Sequence, residues 1–315
     1  MSEGNNWERD ILASIATEGL KEQRRSRRWS IFFKILTFTF LFVYLLAMLA
    51  IVNPDLTNGA TAGKKHTALV ELKGVIAADA EASADNVVSG LRAAFESPDT
   101  IGVILRVNSP GGSPVQSGYI YDEILRLREK YPDTPLYAVI SDICASGGYY
   151  VASAAEKIYA DQASLVGSIG VRMDNFGFVE AMKKLGIERR TLTAGENKAL
   201  LDPFAPQDPK VIEHMTRLLK SVHNQFINAV KQGRGDRLKE VDGMFSGLIW
   251  TGDQSVELGL IDELGNSSFV AREVFKTDNI VNFSVQPDFL ERFSKRVGAQ
   301  MATLLVEKEL APQLR

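Results

Sequence analysis

The sequence feature that most limits how this chain can fold is the apolar stretch at 30–52, "SIFFKILTFTFLFVYLLAMLAIV". Its one charged residue, Lys34, stands near the start. A helix of about 20 apolar residues crosses the hydrocarbon core of a membrane, and it satisfies its own backbone hydrogen bonds there. Lys34 can extend its amine to the interface. We therefore predict a transmembrane signal anchor at 29–52.

The residues before this span indicate its orientation. The stretch at 21–29, "KEQRRSRRW", is strongly basic, whereas no comparable cluster follows the span. The positive-inside rule therefore predicts a cytoplasmic tail at 1–28 and an extracytoplasmic position for everything after the span. A cleaved signal peptide stays open as an alternative, although both the apolar stretch and the leading segment are longer than such peptides usually are. Residues 5–20 have helical apolar spacing, which fits either an interfacial helix or a mobile tail.

Composition excludes two classes of protein. The net charge is −3, so an overall basic surface for nucleic acid is not expected. The single cysteine, Cys144, cannot form an intramolecular disulfide. Residues 53–66 are rich in small and turn-forming types and are predicted to be a linker.

From residue 67 the chain alternates short apolar strands with amphipathic helices. This order predicts an α/β domain with a mostly parallel sheet, and we place it at 67–275. Within it, "ERRTLTA" at 188–194 is a predicted strand and 208–232 a long amphipathic helix. Residues 276–315 form a predicted C-terminal extension with a strand, "NIVNFSV", and a final helix.

Two glycine-rich turns follow predicted strands. In "RVNSPGGSPVQSG" the pair Gly111 and Gly112 precedes a helix, so backbone N–H groups there can approach a ligand. In "SDICASGGYYVASAAE" the serine Ser146 precedes a second glycine pair, which begins with Gly147. A lone serine at a helix start is usually a cap that accepts an N–H. Because the carboxyl ends of parallel strands lie at the same edge of a sheet, the two turns are also candidates for one active site.

A nucleophilic serine needs a base. The three histidines are His66 in the linker and His214 and His223 on the long helix, where they have the spacing of surface or partner-facing residues. Lys198, in "TAGENKALLDPF", is the alternative, since a lysine acts as a base when its surroundings favour the neutral form. Ser168, in "SLVGSIGVRMDN", could orient such a lysine or simply shape a turn.

Five stretches together resemble the signal peptide peptidase SppA family. They are "LRVNSPGGSP", "ASGGYYVASAA", "VGSIGV", "GENKALLDPF" and "SGLIWTGDQSVELGLIDELG", in the family's order over about 70–275. The single domain and N-terminal anchor resemble the short form of the family. The resemblance implies a ClpP/crotonase-like fold, a repeated ββα superhelix, and a single-pass protein of the bacterial inner membrane whose catalytic domain is periplasmic.

The resemblance also implies a site. Ser146 would be the nucleophile and Lys198 the general base of a Ser–Lys dyad, and Ser168 would hydrogen-bond the lysine. Gly112 and Gly147 would donate backbone N–H groups to the oxyanion. The family implies a homo-oligomer whose sites are completed between subunits, with apolar peptides such as remnant signal peptides as substrates. It implies neither a cofactor nor a metal.

Two other functions stay open. A crotonase-like acyl-CoA enzyme would share the glycine-built oxyanion site, but an extracytoplasmic domain does not meet CoA substrates. A catalytically idle membrane scaffold of the same fold would need none of the Ser, Lys and Gly positions that this sequence retains.

Overall fold

The structure is a computed structural model that describes residues 6–52 and 64–285, with side chains at 23–48 and 64–285. Most of the predicted linker and the predicted final helix therefore lie outside the described residues. The chain divides into two compact units, Met1–Gly63 and Lys64–Arg315.

The described part of the first unit, residues 6–52, is a helix, α1, at Asn6–Val52. Within it, Gln23–Met48 is long and apolar enough to cross a membrane. The large apolar side chains of this stretch are exposed, Phe38 among them at 73%. The predicted apolar helix is thus present. It is continuous with the residues before it, so the structure favours a helix over a mobile tail from Asn6 onward.

The second unit is built on an eight-stranded sheet in the order β6-β5-β3-β2-β1-β8, with β4 and β7 continuing from β3. The strands are β1 His66–Lys73, β2 Thr100–Ser109, β3 Leu136–Ala145, β4 Lys157–Ala160, β5 Leu165–Gly167, β6 Ile249–Thr251, β7 Glu263–Leu264 and β8 Ile280–Asn282. All pairs are parallel except β5 with β6. The predicted mostly parallel sheet is confirmed.

Helices connect these strands. They are α2 Ala84–Glu96, α3 Pro114–Lys130, α4 Gly147–Ala152, α5 Val179–Leu185, α6 Pro209–Arg234, α7 Gly252–Glu257 and α8 Ser267–Phe269. A 3₁₀ turn at Gly235–Arg237 follows α6, and a π-helical turn at Val270–Val274 follows α8. Ser83, Ser113 and Asp208 cap α2, α3 and α6 by accepting backbone N–H groups.

The sheet is covered on both faces, as its apolar strands predict. Alternate residues of one strand enter different cores, because successive side chains of a strand point to opposite faces. Val103 and Leu105 belong to the larger cluster, which includes residues of α2, α3, α4 and α6. Ile104 belongs to a smaller cluster that includes Val270 and Ala271 of the π-helical turn.

A buried ion pair fixes the end of α6 to the sheet. Arg234, whose side chain is fully buried, donates to the Asp262 carboxylate at 2.8 Å and to the Gly259 carbonyl at 2.9 Å. Asp262 also accepts the Ile158 backbone N–H at 2.7 Å. Burial acts to raise the pKa of Asp262, but these hydrogen bonds and the charge of Arg234 outweigh it, so the pKa lies below its ordinary value.

Replacing Asp262 by Asn is expected to lower the free energy of unfolding by about 3 kcal/mol at pH 7, since the buried Arg234 loses its counter-charge. The folded pKa of Asp262 is depressed, so its contribution is present above the ordinary carboxyl pKa and is lost as pH falls through the folded value. Urea titrations in detergent between pH 7 and pH 2.5 should show the difference shrinking only at the acidic end. Asp236→Asn, at an exposed site, is the matched control.

Two predictions about this unit were wrong. The expected strand "ERRTLTA" at 188–194 has no strand geometry, and its side chains are exposed. His66 does not belong to a linker, since it is buried at the start of β1. His223, predicted to be a surface or partner-facing residue, is half-buried, and its Nε2 lies 3.1 Å from the Ile169 carbonyl oxygen. The predicted strand near the C-terminal end is confirmed as β8, which pairs with β1.

Candidate active site

Ser146 connects the end of β3 to the start of α4. Its backbone has φ 50° and ψ −123°, a conformation that residues other than glycine rarely adopt. Its side chain makes no capping hydrogen bond, so the structure gives no support to an ordinary helix cap. Such strain persists only where the surroundings impose it, and it is concentrated at functional sites.

Two backbone hydrogen bonds impose this conformation. The Ser146 N–H donates to the Gly167 carbonyl at the end of β5, at 2.8 Å. The Ser146 carbonyl accepts the Tyr150 N–H at 2.9 Å and so begins α4. The chain must therefore leave the sheet and enter a helix within one residue. The hydroxyl is held at the edge of the sheet, where it is partly exposed.

The glycine turn after β2 lies directly against Ser146. Gly111 has φ 100°, and a Cβ atom added there would lie 2.7 Å from the Ser146 Cβ and 2.7 Å from the Gly147 backbone nitrogen. Gly112 has φ 156° and pairs with Ile76 as an isolated bridge. Its nitrogen lies 3.2 Å from where a Cβ of Gly147 would be. The sequence assigned an oxyanion role to Gly112 alone of this pair, whereas Gly111 is the glycine that packs against the serine.

Gly112 and Gly147 leave their N–H groups available. In the part of the chain that the structure describes, neither N–H donates to a backbone or side-chain acceptor. Gly147 is the first residue of α4, where a helix leaves its N–H groups without intrahelical partners. Two neighbouring free donors beside a hydroxyl are the arrangement that stabilises an oxyanion.

Ser168 stands beside Ser146 across the sheet edge. Ala145 and Gly167 are paired in register, so the two serines each follow a strand end at the same level. Ser168 also has a positive φ, 51°, and its N–H donates to the Leu248 carbonyl at 2.7 Å. His223 of α6 holds this turn through the Ile169 carbonyl oxygen.

One cleft of about 960 Å³ joins these groups. Ser146, Ser168, Gly112 and Gly147 all line it, so the structure brings four of the five predicted site residues together. Lys198 does not line this cleft. Cys144, two residues before Ser146, is fully buried, and burial raises the pKa of its thiol. It belongs to the larger core.

Lys198 lies on an exposed segment at 171–207 that projects large apolar side chains into solvent. Phe176 is 76% exposed, Leu185 73% and Leu192 fully exposed. The Lys198 N–H donates to the Gly195 carbonyl at 3.1 Å. Its ammonium group has no ion pair with any described residue.

Replacing Gly111 by Ala is expected to reduce peptide hydrolysis at least about 100-fold, because the new methyl group collides with Ser146 and with a candidate oxyanion donor. The positive φ adds strain to any larger residue. Steady-state kinetics on the variant would measure the loss, and its thermal unfolding would show whether the domain remains folded. Wild-type activity in a folded variant would contradict this geometry.

Comparison with known proteins identifies the family. Residues 128–280 match peptidase family S49, and that range contains Ser146, Ser168 and Lys198. The chain is 30% identical over 208 residues to "Putative protease slr0021" of Synechocystis sp., and the alignment covers 65% of this chain and 72% of that protein. The chain belongs to peptidase family S49. This S49 chain is therefore a member of a serine protease family.

Two further relatives match different shares of this chain and of their own lengths. "Protease 4" of Haemophilus influenzae is 29% identical over 254 residues, which are 78% of this chain and 40% of that protein. "Na(+)/H(+) antiporter NhaA" of Brucella abortus is 43% identical over 185 residues, which are 59% of this chain. The S49 chain spans a quarter of that Brucella protein's length, so most of the protein named as an antiporter has no counterpart in the alignment.

Proposed function

We propose that this protein is a membrane-anchored serine endopeptidase in which Ser146 is the nucleophile and Lys198 the general base. The observation that carries the proposal is the conformation of Ser146, which is strained, makes no capping bond and stands beside two free N–H groups in a cleft. Membership of family S49 supports peptide hydrolysis as the reaction.

The proposed reaction begins with proton transfer. Neutral Lys198 accepts the Ser146 hydroxyl proton through Nζ while Oγ attacks the peptide carbonyl carbon. The oxyanion that forms accepts hydrogen bonds from the Gly112 and Gly147 N–H groups. The lysine ammonium then protonates the departing amine, which leaves an acyl-enzyme on Oγ. Water, deprotonated by Lys198, cleaves this ester and restores the serine. Ser168 would hold the amine by a hydrogen bond.

We propose that a second copy of the chain supplies Lys198. Lys198 does not line the cleft of Ser146 within one chain, and it lies on a segment whose exposed apolar side chains are unusual for a solvated loop. Association would cover those side chains. A lysine enclosed at such an interface loses water, which favours its neutral form.

The proposal also includes the orientation in the membrane, the fold of the catalytic unit and the source of its substrates. A basic cluster before α1's apolar stretch favours a cytoplasmic N-terminus and a periplasmic catalytic unit in a bacterial inner membrane. The parallel sheet with its antiparallel β5–β6 pair is compatible with a ClpP/crotonase-like superhelix. Peptides left in or near the membrane, such as remnant signal peptides, would reach a catalytic unit tethered to the membrane.

A serine-directed fluorophosphonate tests this function. We expect it to label the full-length protein in detergent at Ser146, with the modified peptide identified by mass spectrometry. Ser146→Ala should not be labelled. Absence of labelling in the wild-type oligomer would overturn the peptidase and favour an idle scaffold, whereas tight binding of CoA would favour an acyl-CoA enzyme.

A further inference from the structure

The part of the Ser146 cleft that runs along α3 and α4, called the α3–α4 pocket below, is lined by Gly118, Asp122 and Tyr150. The two helices run side by side in the same direction. A Cβ added to Gly147 would collide with the Ser117 hydroxyl, so the helices are in contact at their starts. About one turn later the rings of Tyr121 and Tyr150 are in contact, with centroids 5.3 Å apart. A substrate side chain that enters beside Ser146 is therefore guided along both helices.

The pocket has an apolar wall and an open entrance. The ring of Tyr150 packs on Phe226 of α6, with centroids 5.1 Å apart, and both residues line the cleft. Gly118, on α3, also lines the cleft, and no atom lies within 4 Å of the place where its Cβ would be. A long side chain can therefore pass Gly118 and lie against the two rings.

A solvent-exposed carboxylate lies farther along α3. Asp122 lines the same cleft and stands one helical turn beyond Gly118, about 6 Å along the axis of α3. It makes no salt bridge or side-chain hydrogen bond with the residues that the structure describes. The pKa of Tyr150 is raised, mainly by burial and next by the negative charge of Asp122. The carboxylate therefore acts on the ring that forms the pocket wall.

Among the described residues that line the cleft, Arg172 is the other charged one, and it pairs with a different carboxylate. Arg172, on the segment after β5, lies 3.4 Å from the Asp174 carboxylate, and both side chains are largely exposed. The pocket between α3 and α4 therefore presents an apolar wall followed by a negative charge. Lysine and arginine have the matching shape, with an apolar stem and a cationic end.

We propose that this pocket selects a Lys or Arg at P1, the substrate residue whose carbonyl carbon Ser146 attacks. The stem lies against Tyr150 and Phe226, and the cation pairs with the Asp122 carboxylate. An apolar side chain of equal length would cover Asp122 without giving it a partner, which disfavours that substrate. The proposal rests on the proposed peptidase function and adds its specificity.

Binding and cleavage of matched peptides test the pocket separately from the chemistry. The peptides carry lysine or the uncharged norleucine at P1 and are otherwise identical. We expect full-length Ser146→Ala protein in detergent to bind the lysine peptide about tenfold more tightly, as one charge-assisted pair allows. Adding Asp122→Asn should reduce that ratio to about one, while Glu129→Gln, farther along α3 and outside the cleft, should preserve it.

The wild-type enzyme should show the same preference in kcat/KM. A second variant, Gly118→Leu, should reduce cleavage of the lysine peptide at least tenfold relative to an alanine peptide, because it fills the entrance. Equal binding of the lysine and norleucine peptides, or a ratio that Asp122→Asn does not change, would overturn the pocket. A lysine preference in binding without any cleavage by the wild-type enzyme would instead overturn the peptidase and leave the pocket standing.

Discussion

Replacing Ser146 by Ala is expected to reduce peptide hydrolysis at least about 10⁴-fold, because loss of the nucleophile removes the covalent route. The structure makes this variant a clean test. The hydroxyl makes no capping bond, so its loss leaves no backbone N–H without a partner. Peptide cleavage by full-length protein in detergent, followed by mass spectrometry, would measure the effect. Ser89→Ala, on the exposed surface of α2, is the matched control.

Stability separates a nucleophile from a helix cap at this position. A capping serine stabilises a helix, and its replacement by Ala costs about 1 kcal/mol. Here Ser146 has a positive φ that glycine adopts freely, so Ser146→Gly is expected to raise the free energy of unfolding by about 1 kcal/mol while abolishing activity. Destabilisation by Ser146→Gly, or residual hydrolysis in either variant, would contradict the assignment.

Replacing Lys198 by Ala is expected to reduce hydrolysis at least about 10³-fold, because no other base is assigned to the Ser146 proton. Lys198→Arg should be equally inactive, since a guanidinium stays charged and cannot accept a proton. Lys157→Ala is the control, because Lys157 lies at the amino end of β4, whereas Ser146 follows the carboxyl end of β3. Burst and steady-state kinetics would show whether acylation itself is lost.

Mixing the two inactive variants tests where the lysine comes from. If one chain supplies Ser146 and its neighbour Lys198, equal amounts of Ser146→Ala and Lys198→Ala should recover about a quarter of wild-type activity after subunit exchange, because a head-to-tail interface then forms intact sites by chance. Size-exclusion chromatography with light scattering confirms that both variants assemble. No recovery from co-assembled chains would mean that one chain holds both residues.

The sequence predicted the turns around Ser146 better than it predicted the exposed segment at 171–207, which carries Lys198. The strand–glycine–helix turns at Ser146 and Gly112 were found because glycine pairs after apolar strands are a local signal. The expected strand at 188–194 was wrong, because this stretch pairs with no strand among the described residues and its side chains remain in solvent. Strand preference reflects packing against neighbours, and it does not form a strand without them.

From the sequence we could infer the apolar helix, the alternation that yields a mostly parallel sheet, and the residue types of the candidate site. These follow from local patterns of hydrophobicity and turn chemistry. The folded chain was needed to show that Gly111 packs against Ser146, that Asp122 lines the same cleft, and that Lys198 does not. Those facts depend on how distant segments pack, since strand register brings Ala145 beside Gly167 and helix direction brings Asp122 to the level of Tyr150.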